Sequence, residues 1–232
     1  MSADRFSFRQ LARTRKGKVV WFRVFPESRE CGVIHAPHTG LHYLKRPLSP
    51  VFQFTGLVDS KGVPVWEGDI LVRKEPTYVL EVEWCKEEYG FIVTDGRDTA
   101  PLGAIARSDY PFNVIGNVCV APLGVYKKLW EVFPENVEID DEPLRTVIYT
   151  GVKRPDGDDM VLYLERDFDG DRLYLTDLGE TAMFIASCGV KPGFEEVKRE
   201  VSEENVIEKA KEVIEEIRER FRQRVGHMKW GA

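Results

Sequence analysis

VFQFTGLVDSKGVPVWEGDILV, residues 51–72, is the stretch on which the fold turns. Val51 to Thr55 alternates and ends in turn chemistry at Asp59-Ser60-Lys61-Gly62, so it reads as a strand and its turn. Val63 to Trp66 is a short extended piece, Glu67-Gly68-Asp69 a tight turn, and Ile70 to Arg73 a second strand. The chain must reverse within three residues between Trp66 and Ile70. Gly68 is therefore expected at positive φ, which glycine adopts without strain. Asp69 is expected to accept turn amides, at a cost of about 1 kcal/mol if removed. Glu67 has no such local duty and is expected to point to water.

Downstream, Tyr78, Leu80, Val82 and Trp84 alternate with Val79, Glu81, Glu83 and Cys85, the pattern of a half-buried strand. Glu88-Tyr89-Gly90 turns the chain into Phe91-Ile92-Val93-Thr94, and Asp95-Gly96 ends that strand. A loop is expected up to Pro111. Phe112 to Val118 reads as a closing strand, with Gly116 as a bulge. Five or six short strands with tight turns fit a small SH3-like barrel, a closed sheet that hides its edges.

Upstream, Phe6-Ser7-Phe8-Arg9 and Val20 to Phe25 are aromatic-basic runs with a period of two, expected as a hairpin around Gly17. Residues 26–50 hold Pro26, Pro37, Pro47 and Pro50 and read as irregular. Within them lie Cys31, His35, His38 and His42. Thiolate and imidazole are zinc ligands. The spacing matches no zinc pattern, and Pro37 and Gly40 interrupt any aligning helix, so an ordinary loop without metal is expected.

The segment FTGLVDSKGVPVWEGDIL, the strand ending at Trp84, Gly90-Phe91 and VIGNV (114–118) together resemble the YopX family of phage and prophage proteins. Thr-Gly-Leu, Lys-Gly, Glu-Gly-Asp and Ile-Gly-Asn occur in the family's order and spacing, over about residues 5–122. The family's opening Phe-Arg-aromatic strand can be supplied by residues 20–25. The resemblance implies an SH3-type barrel and no catalytic residues. The insertion between Phe25 and Phe52 is longer than the family's.

Residues 124–143, with Pro122 just before them, Pro134, Pro143 and Asp140-Asp141-Glu142, read as a linker or a first helical turn between a domain 1–123 and a domain 144–232. In the latter, Leu144 to Thr150, Met160 to Arg166 and Arg172 to Thr176 read as strands. Thr176 or Asp177 is expected to cap a helix from Gly179 to Cys188. Phe194 to Val201 alternates as a strand does. Ser202 caps the longest helix, whose stripe is Val206, Ile207, Ala210, Val213, Ile214, Ile217, Phe221 and Val225. The domain is expected to be a small antiparallel sheet with two helices, giving an α+β fold overall. Residues 160–189 also resemble a second bacterial and phage domain of unknown function.

The 232 residues carry a net charge of −6. Residues 1–50 hold 10 Lys and Arg against 3 Asp and Glu, while residues 124–232 hold 17 against 25. A basic front on an acidic body is either an interaction surface or pairing between neighbouring segments. Cys31, Cys85, Cys119 and Cys188 form no C-x-x-C pair, and no apolar run is long enough to span a bilayer, so a cytoplasmic protein is expected.

Asp167-x-Asp169-Gly170-Asp171 resembles the front of a calcium loop, but Leu178 stands where the bidentate glutamate belongs. No P-loop, G-x-G-x-x-G, H-E-x-x-H or G-x-S-x-G occurs. The reading is a non-catalytic accessory protein, without cofactor or metal, that binds a host or phage protein. Nucleic-acid binding through residues 5–23 is the alternative. A third reading is a metal-dependent enzyme using carboxylates such as Asp177 and Glu180.

Overall fold

The computed structural model describes residues 7–13, 19–24, 33–36, 40–43, 46–74, 77–107, 111–139, 145–153, 159–167, 172–178 and 196–228. They are mostly β, in antiparallel sheets, with a few helices. The chain divides into two compact units, 1–123 with 141–143, and 124–140 with 144–232.

The first unit opens with β1 (Phe8–Arg13) and β2 (Val19–Val24), a hairpin. β3 (Val33–Ala36) and β4 (Gly40–Tyr43) pair with each other inside the segment expected to be irregular. β5 (Arg46–Val58) is far longer than the strand expected from Val51. Its prolines are accommodated by a register shift opposite Gln10 and Ala12. Pro50 has no N–H to give, and the Leu11 amide there donates to Ser49 Oγ at 2.9 Å instead of to a ladder carbonyl. β6 (Pro64–Trp66) completes the sheet β2-β1-β5-β6.

A second sheet runs β10-β9-β8-β7-β11. Its members are β7 (Asp69–Arg73), β8 (Tyr78–Cys85), β9 (Gly90–Thr94), β10 (Thr99–Pro101) and β11 (Phe112–Asn117). Between β10 and β11, where a loop was expected, Leu102–Ala106 forms the short helix α1 against β9 and β10. In β8 Leu80 and Val82 are buried while Glu81 and Glu83 are not, as a half-buried strand requires; Val79 is buried as well, and Tyr78 and Trp84 are exposed. The bulge expected at Gly116 is present as a register shift between Val114 and Gly116.

The second unit corrects the linker reading. Residues 123–132 form α2 (Leu123–Val132) and residues 137–139 form the edge strand β12 (Val137–Ile139). Pro122 and Pro134 bracket the helix and do not mark a linker. Between them Tyr126, Leu129 and Trp130 supply one apolar face. The Tyr126 hydroxyl meets Thr146 Oγ1 at 2.9 Å.

The sheet proceeds through β13 (Arg145–Lys153), β14 (Asp159–Asp167), β15 (Arg172–Leu178) and β16 (Glu196–Val201), each antiparallel to the last. α3 (Val206–Met228) packs against β13 and β15. Its expected stripe is buried from Val206 to Ile217. Ser202 and Asn205 cap it reciprocally: the Asn205 amide donates to Ser202 Oγ (3.3 Å), and the Ser202 amide to Asn205 Oδ1 (2.8 Å). A bulge at Gly151 (φ 73°) frees the Thr150 carbonyl, which accepts Arg218 Nη2 at 2.9 Å and so orients the helix. The helix expected over Gly179 to Cys188 lies outside the described residues. Thr176 and Asp177 belong to β15.

Gly68 sits at φ 78°, as expected, and a Cβ there would lie 2.8 Å from Phe52 Cε1 and 3.1 Å from Val118 Cγ2. Gly62, at φ 84°, faces open space. Gly68→Ala is therefore expected to destabilise by about 2–4 kcal/mol and Gly62→Ala by about 1 kcal/mol, read by urea unfolding of the full chain. Equal costs would mean that backbone conformation alone matters at Gly68.

Candidate functional site

Two buried aspartates, ten positions apart in the opening motif, fasten the first unit. Asp59 Oδ1 accepts the amides of Lys61 and Val63, both at 2.8 Å. Its Oδ2 reaches across to the Val114 amide in β11 at 3.0 Å. Asp69 is 1% exposed. Its Oδ2 accepts the Trp66 amide (2.8 Å), and its Oδ1 accepts Asn117 Nδ2 at 2.9 Å and Arg9 Nη2 at 2.5 Å. Asn117 Oδ1 in turn accepts the Cys119 amide at 2.9 Å. Gly68 joins the same point through its backbone, donating to the Val82 carbonyl (2.8 Å) and accepting the Val118 amide (2.9 Å).

Arg9 closes this junction from β1. Its guanidinium carbon stands 4.3 Å from the Trp21 ring centre and 4.8 Å from that of Trp66. Two indoles and a carboxylate thus enclose one cation, the arrangement in which ring quadrupole and charge add. Trp21 also meets Phe52 edge-on at 6.0 Å. Burial pushes the Asp69 carboxyl up from its ordinary value, against the pull of Arg9, Asn117 and the Trp66 amide. Burial likewise pulls the Arg9 guanidinium down, against Asp69. The pair is held by geometry and hydrogen bonds, since desolvating two charges costs more than one contact returns. Glu67 is corrected here: its Oε2 accepts the Gln53 amide at 3.2 Å and is not simply solvated.

The other sequence candidates are scattered. His35 and His42 lie on the β3–β4 hairpin, in register with Leu41 and Ile34 respectively, while Cys31 and His38 lie outside the described residues. Among the described residues, no cluster of His, Cys, Asp or Glu with metal-binding geometry occurs. Asp169, Gly170 and Asp171 of the calcium-like run, and Glu180, fall outside the described residues. Asp177 is not a helix cap: it is buried in β15 and pairs with Arg220 Nη2 at 3.0 Å. Of the basic aromatic arm, Arg9 and Trp21 are committed to the internal cage, and Phe22 packs against Phe8.

A second buried charge centre lies on the sheet of the second unit, which the sequence did not signal. Glu165 pairs with Arg145 Nε (3.0 Å) and Lys198 Nζ (2.8 Å) and accepts the Thr176 hydroxyl. Register explains the meeting, since Arg145 stands opposite Glu165, and Thr176 and Lys198 face each other one strand over. Burial pushes the Glu165 carboxyl up, but the hydrogen bonds from Lys198 and Thr176, with the Lys198 and Arg145 charges, outweigh it and hold the group below its ordinary value.

Val58, Tyr78 and Val197 are exposed singly, while the turn end of the β8–β9 hairpin carries two exposed aromatics. The β8–β9 hairpin ends in Trp84, 39% exposed, stacked edge-on against Phe91 at 5.0 Å. Tyr89 at its tip is 86% exposed and holds φ 49°, a left-handed conformation rare for an aromatic residue. Glu83, Glu87 and Glu88 are neighbours of these rings in sequence and are exposed. The Glu87 carboxylate is held below its ordinary value by its own backbone amide and the Cys85 thiol.

Residues 11–123 match the family model described as YopX protein, and this segment belongs to the YopX family. No curated protein and no solved structure matches the chain. Among the described residues, no helix is long and apolar enough to cross a membrane. Of the motif residues on which the resemblance was read, Gly68, Asp69 and Asn117 meet at the junction just described.

Asp69→Ala is expected to destabilise by about 3–5 kcal/mol, not about 1, because Arg9 is left buried without its carboxylate. Glu67→Ala is expected to cost about 1 kcal/mol. Urea unfolding followed by tryptophan fluorescence checks both, and an Asp69→Ala cost below 1 kcal/mol would show that the pair is not structural.

Glu165 supplies a pH dependence. Its folded pKa is depressed, so its stabilisation is present above the unfolded value, about 4.3, and is lost as pH falls through the folded value. Wild type is expected to melt above Glu165→Gln at pH 6, with the gap closing by pH 3. A gap constant across that range would contradict the ion-pair assignment.

Proposed function

We propose that the protein is a non-catalytic, phage- or prophage-encoded accessory module. It acts in the bacterial cytoplasm by binding another protein through the β8–β9 hairpin tip of an SH3-like barrel. One observation carries this reading: Tyr89 is 86% and Trp84 39% exposed, in a stretch whose carboxylates Glu83, Glu87 and Glu88 have no cationic partner among the described residues. Large exposed aromatics are depleted on ordinary surfaces and enriched where a partner docks. The strongest chemical groups of the described residues point the other way. Arg9, Asp69, Asp177 and Glu165 are engaged with one another or with neighbouring side chains, which fits structural roles for them.

Affinity capture on immobilised full-length protein from phage-infected host cells tests the reading. Wild type is expected to retain a stoichiometric partner that Trp84→Ala/Tyr89→Ala loses by at least about tenfold, as for paired interface anchors of 1 kcal/mol or more. The double variant is expected to keep the wild-type melting temperature within about 4 °C. Retention of the same partner by the variant would reject the tip as the binding surface.

A further inference from the structure

We propose that the partner surface met by the hairpin tip is a cationic segment, rich in arginine or lysine, of another protein. This rests on the reading of the tip as a docking site and names the chemistry of what docks there.

Charge and ring geometry converge on it. From Glu83 to Phe91 the tip carries exposed Trp84 and Tyr89, half-buried Phe91, and the exposed carboxylates of Glu83, Glu87 and Glu88 against the single cation Lys86. Among the described residues, none of these carboxylates has a cationic partner, in contrast to the acidic residues of α3, which pair with Lys209, Lys211, Arg218 and Arg222. Further along β8, Glu81 lies half-buried two residues from Glu83, and burial and the Glu83 charge push its carboxyl up. Like charges left facing each other destabilise unless a cation enters between or beside them. Ring faces favour the same ligand, because their quadrupoles attract ammonium and guanidinium groups. A polyanion such as nucleic acid would be repelled by the same carboxylates.

Tyr89 supplies an independent reason. A non-glycine residue at φ 49° carries backbone strain, and at 86% exposure its ring returns little buried area to offset it. Folding alone would be better served by glycine or asparagine at that position. A strained, exposed aromatic at the tip of a two-stranded hairpin therefore points to selection for contact. The molecule already contains the chemistry in a closed form: Arg9 sits between the Trp21 and Trp66 rings beside Asp69. The tip offers an open version, with rings and carboxylates and, among the described residues, no cation over the rings.

Fluorescence anisotropy on the full chain tests this with three labelled nonapeptides of glycine and serine, carrying four arginines, four glutamates or no charge. The arginine peptide is expected to bind, and the other two to bind at least tenfold more weakly. Tyr89→Gly should weaken arginine-peptide binding about two- to fivefold, the worth of one exposed cation–π contact. Its melting temperature should be unchanged or raised. Trp84→Ala should weaken binding by a similar factor. Glu87→Gln/Glu88→Gln should weaken it and flatten its salt dependence. Glu131→Gln/Glu203→Gln, which removes two exposed charges from the second unit, should leave binding unchanged. Equal loss in that control pair would reduce the effect to net charge and overturn the proposal, as would binding that ignores Tyr89→Gly and Trp84→Ala. Self-association abolished by Tyr89→Gly would replace the partner by a second copy and overturn it too. If cell-derived partner capture depends on Trp84 and Tyr89 while the arginine peptide fails, the docking reading stands and the cationic assignment falls. If both fail, the tip is not a binding surface.

Discussion

A carboxylate with almost no access to water stays in a protein interior only if the chain brings it a full set of donors. Asp69 obtains its donors from three places: the Trp66 amide of its own turn, Asn117 at the end of β11, and Arg9 from β1. These segments are 48 and 60 residues from Asp69 in sequence. Their convergence on one side chain ties the two sheets of the first unit together. Gly68 adds a constraint of shape, since the turn comes so close to Phe52 that no side chain fits. Asp59 repeats the device at the other end of β11 through the Val114 amide. The first unit is thus closed by polar fasteners at two points, between which Ile70, Leu71 and Val72 are fully buried. Removing either partner of such a pair costs more than the contact is worth, because the other remains buried and unanswered.

Much of this was legible in the sequence, and the limits have physical causes. The two turns, the positive φ at Gly68 and the bulge at Gly116 followed from local backbone chemistry, which neighbouring residues determine. The stripe of α3 followed from its period. What local chemistry does not encode is pairing across distance. Nothing near Arg9 indicates that its partner is Asp69, and nothing near Glu165 announces Arg145 and Lys198, because register between strands decides both. The same limit produced the two misreadings with the clearest cause. Prolines at 122 and 134 suggested a linker, although between them lay the apolar face of α2. Asp177 looked like a cap because a helix pattern follows it, whereas the strand β15 carries it inward to Arg220.

This division bears on function. Of the motif residues on which the resemblance to the YopX family was read, Gly68, Asp69 and Asn117 close the fold. Such residues specify an architecture and say little about what it binds. Function has to be sought where the chain spends stability without a folding return, and the β8–β9 tip, with Tyr89 strained and exposed, is such a place. The second unit shows the opposite habit. Among the described residues, Glu165 is paired from β13 and β16 and many charges of α3 pair along the helix.

Native-state amide hydrogen exchange on the full-length protein tests the fastener account most directly. The amides of Lys61, Val63, Trp66, Val114 and Cys119 donate to side-chain oxygens of Asp59, Asp69 and Asn117 and not to a strand ladder. If these side chains hold the first unit closed, the five amides should exchange only when that unit unfolds, as slowly as the core amides of Leu71 and Val82. Exchange of the five that is orders of magnitude faster, with Leu71 and Val82 still protected, would contradict the account.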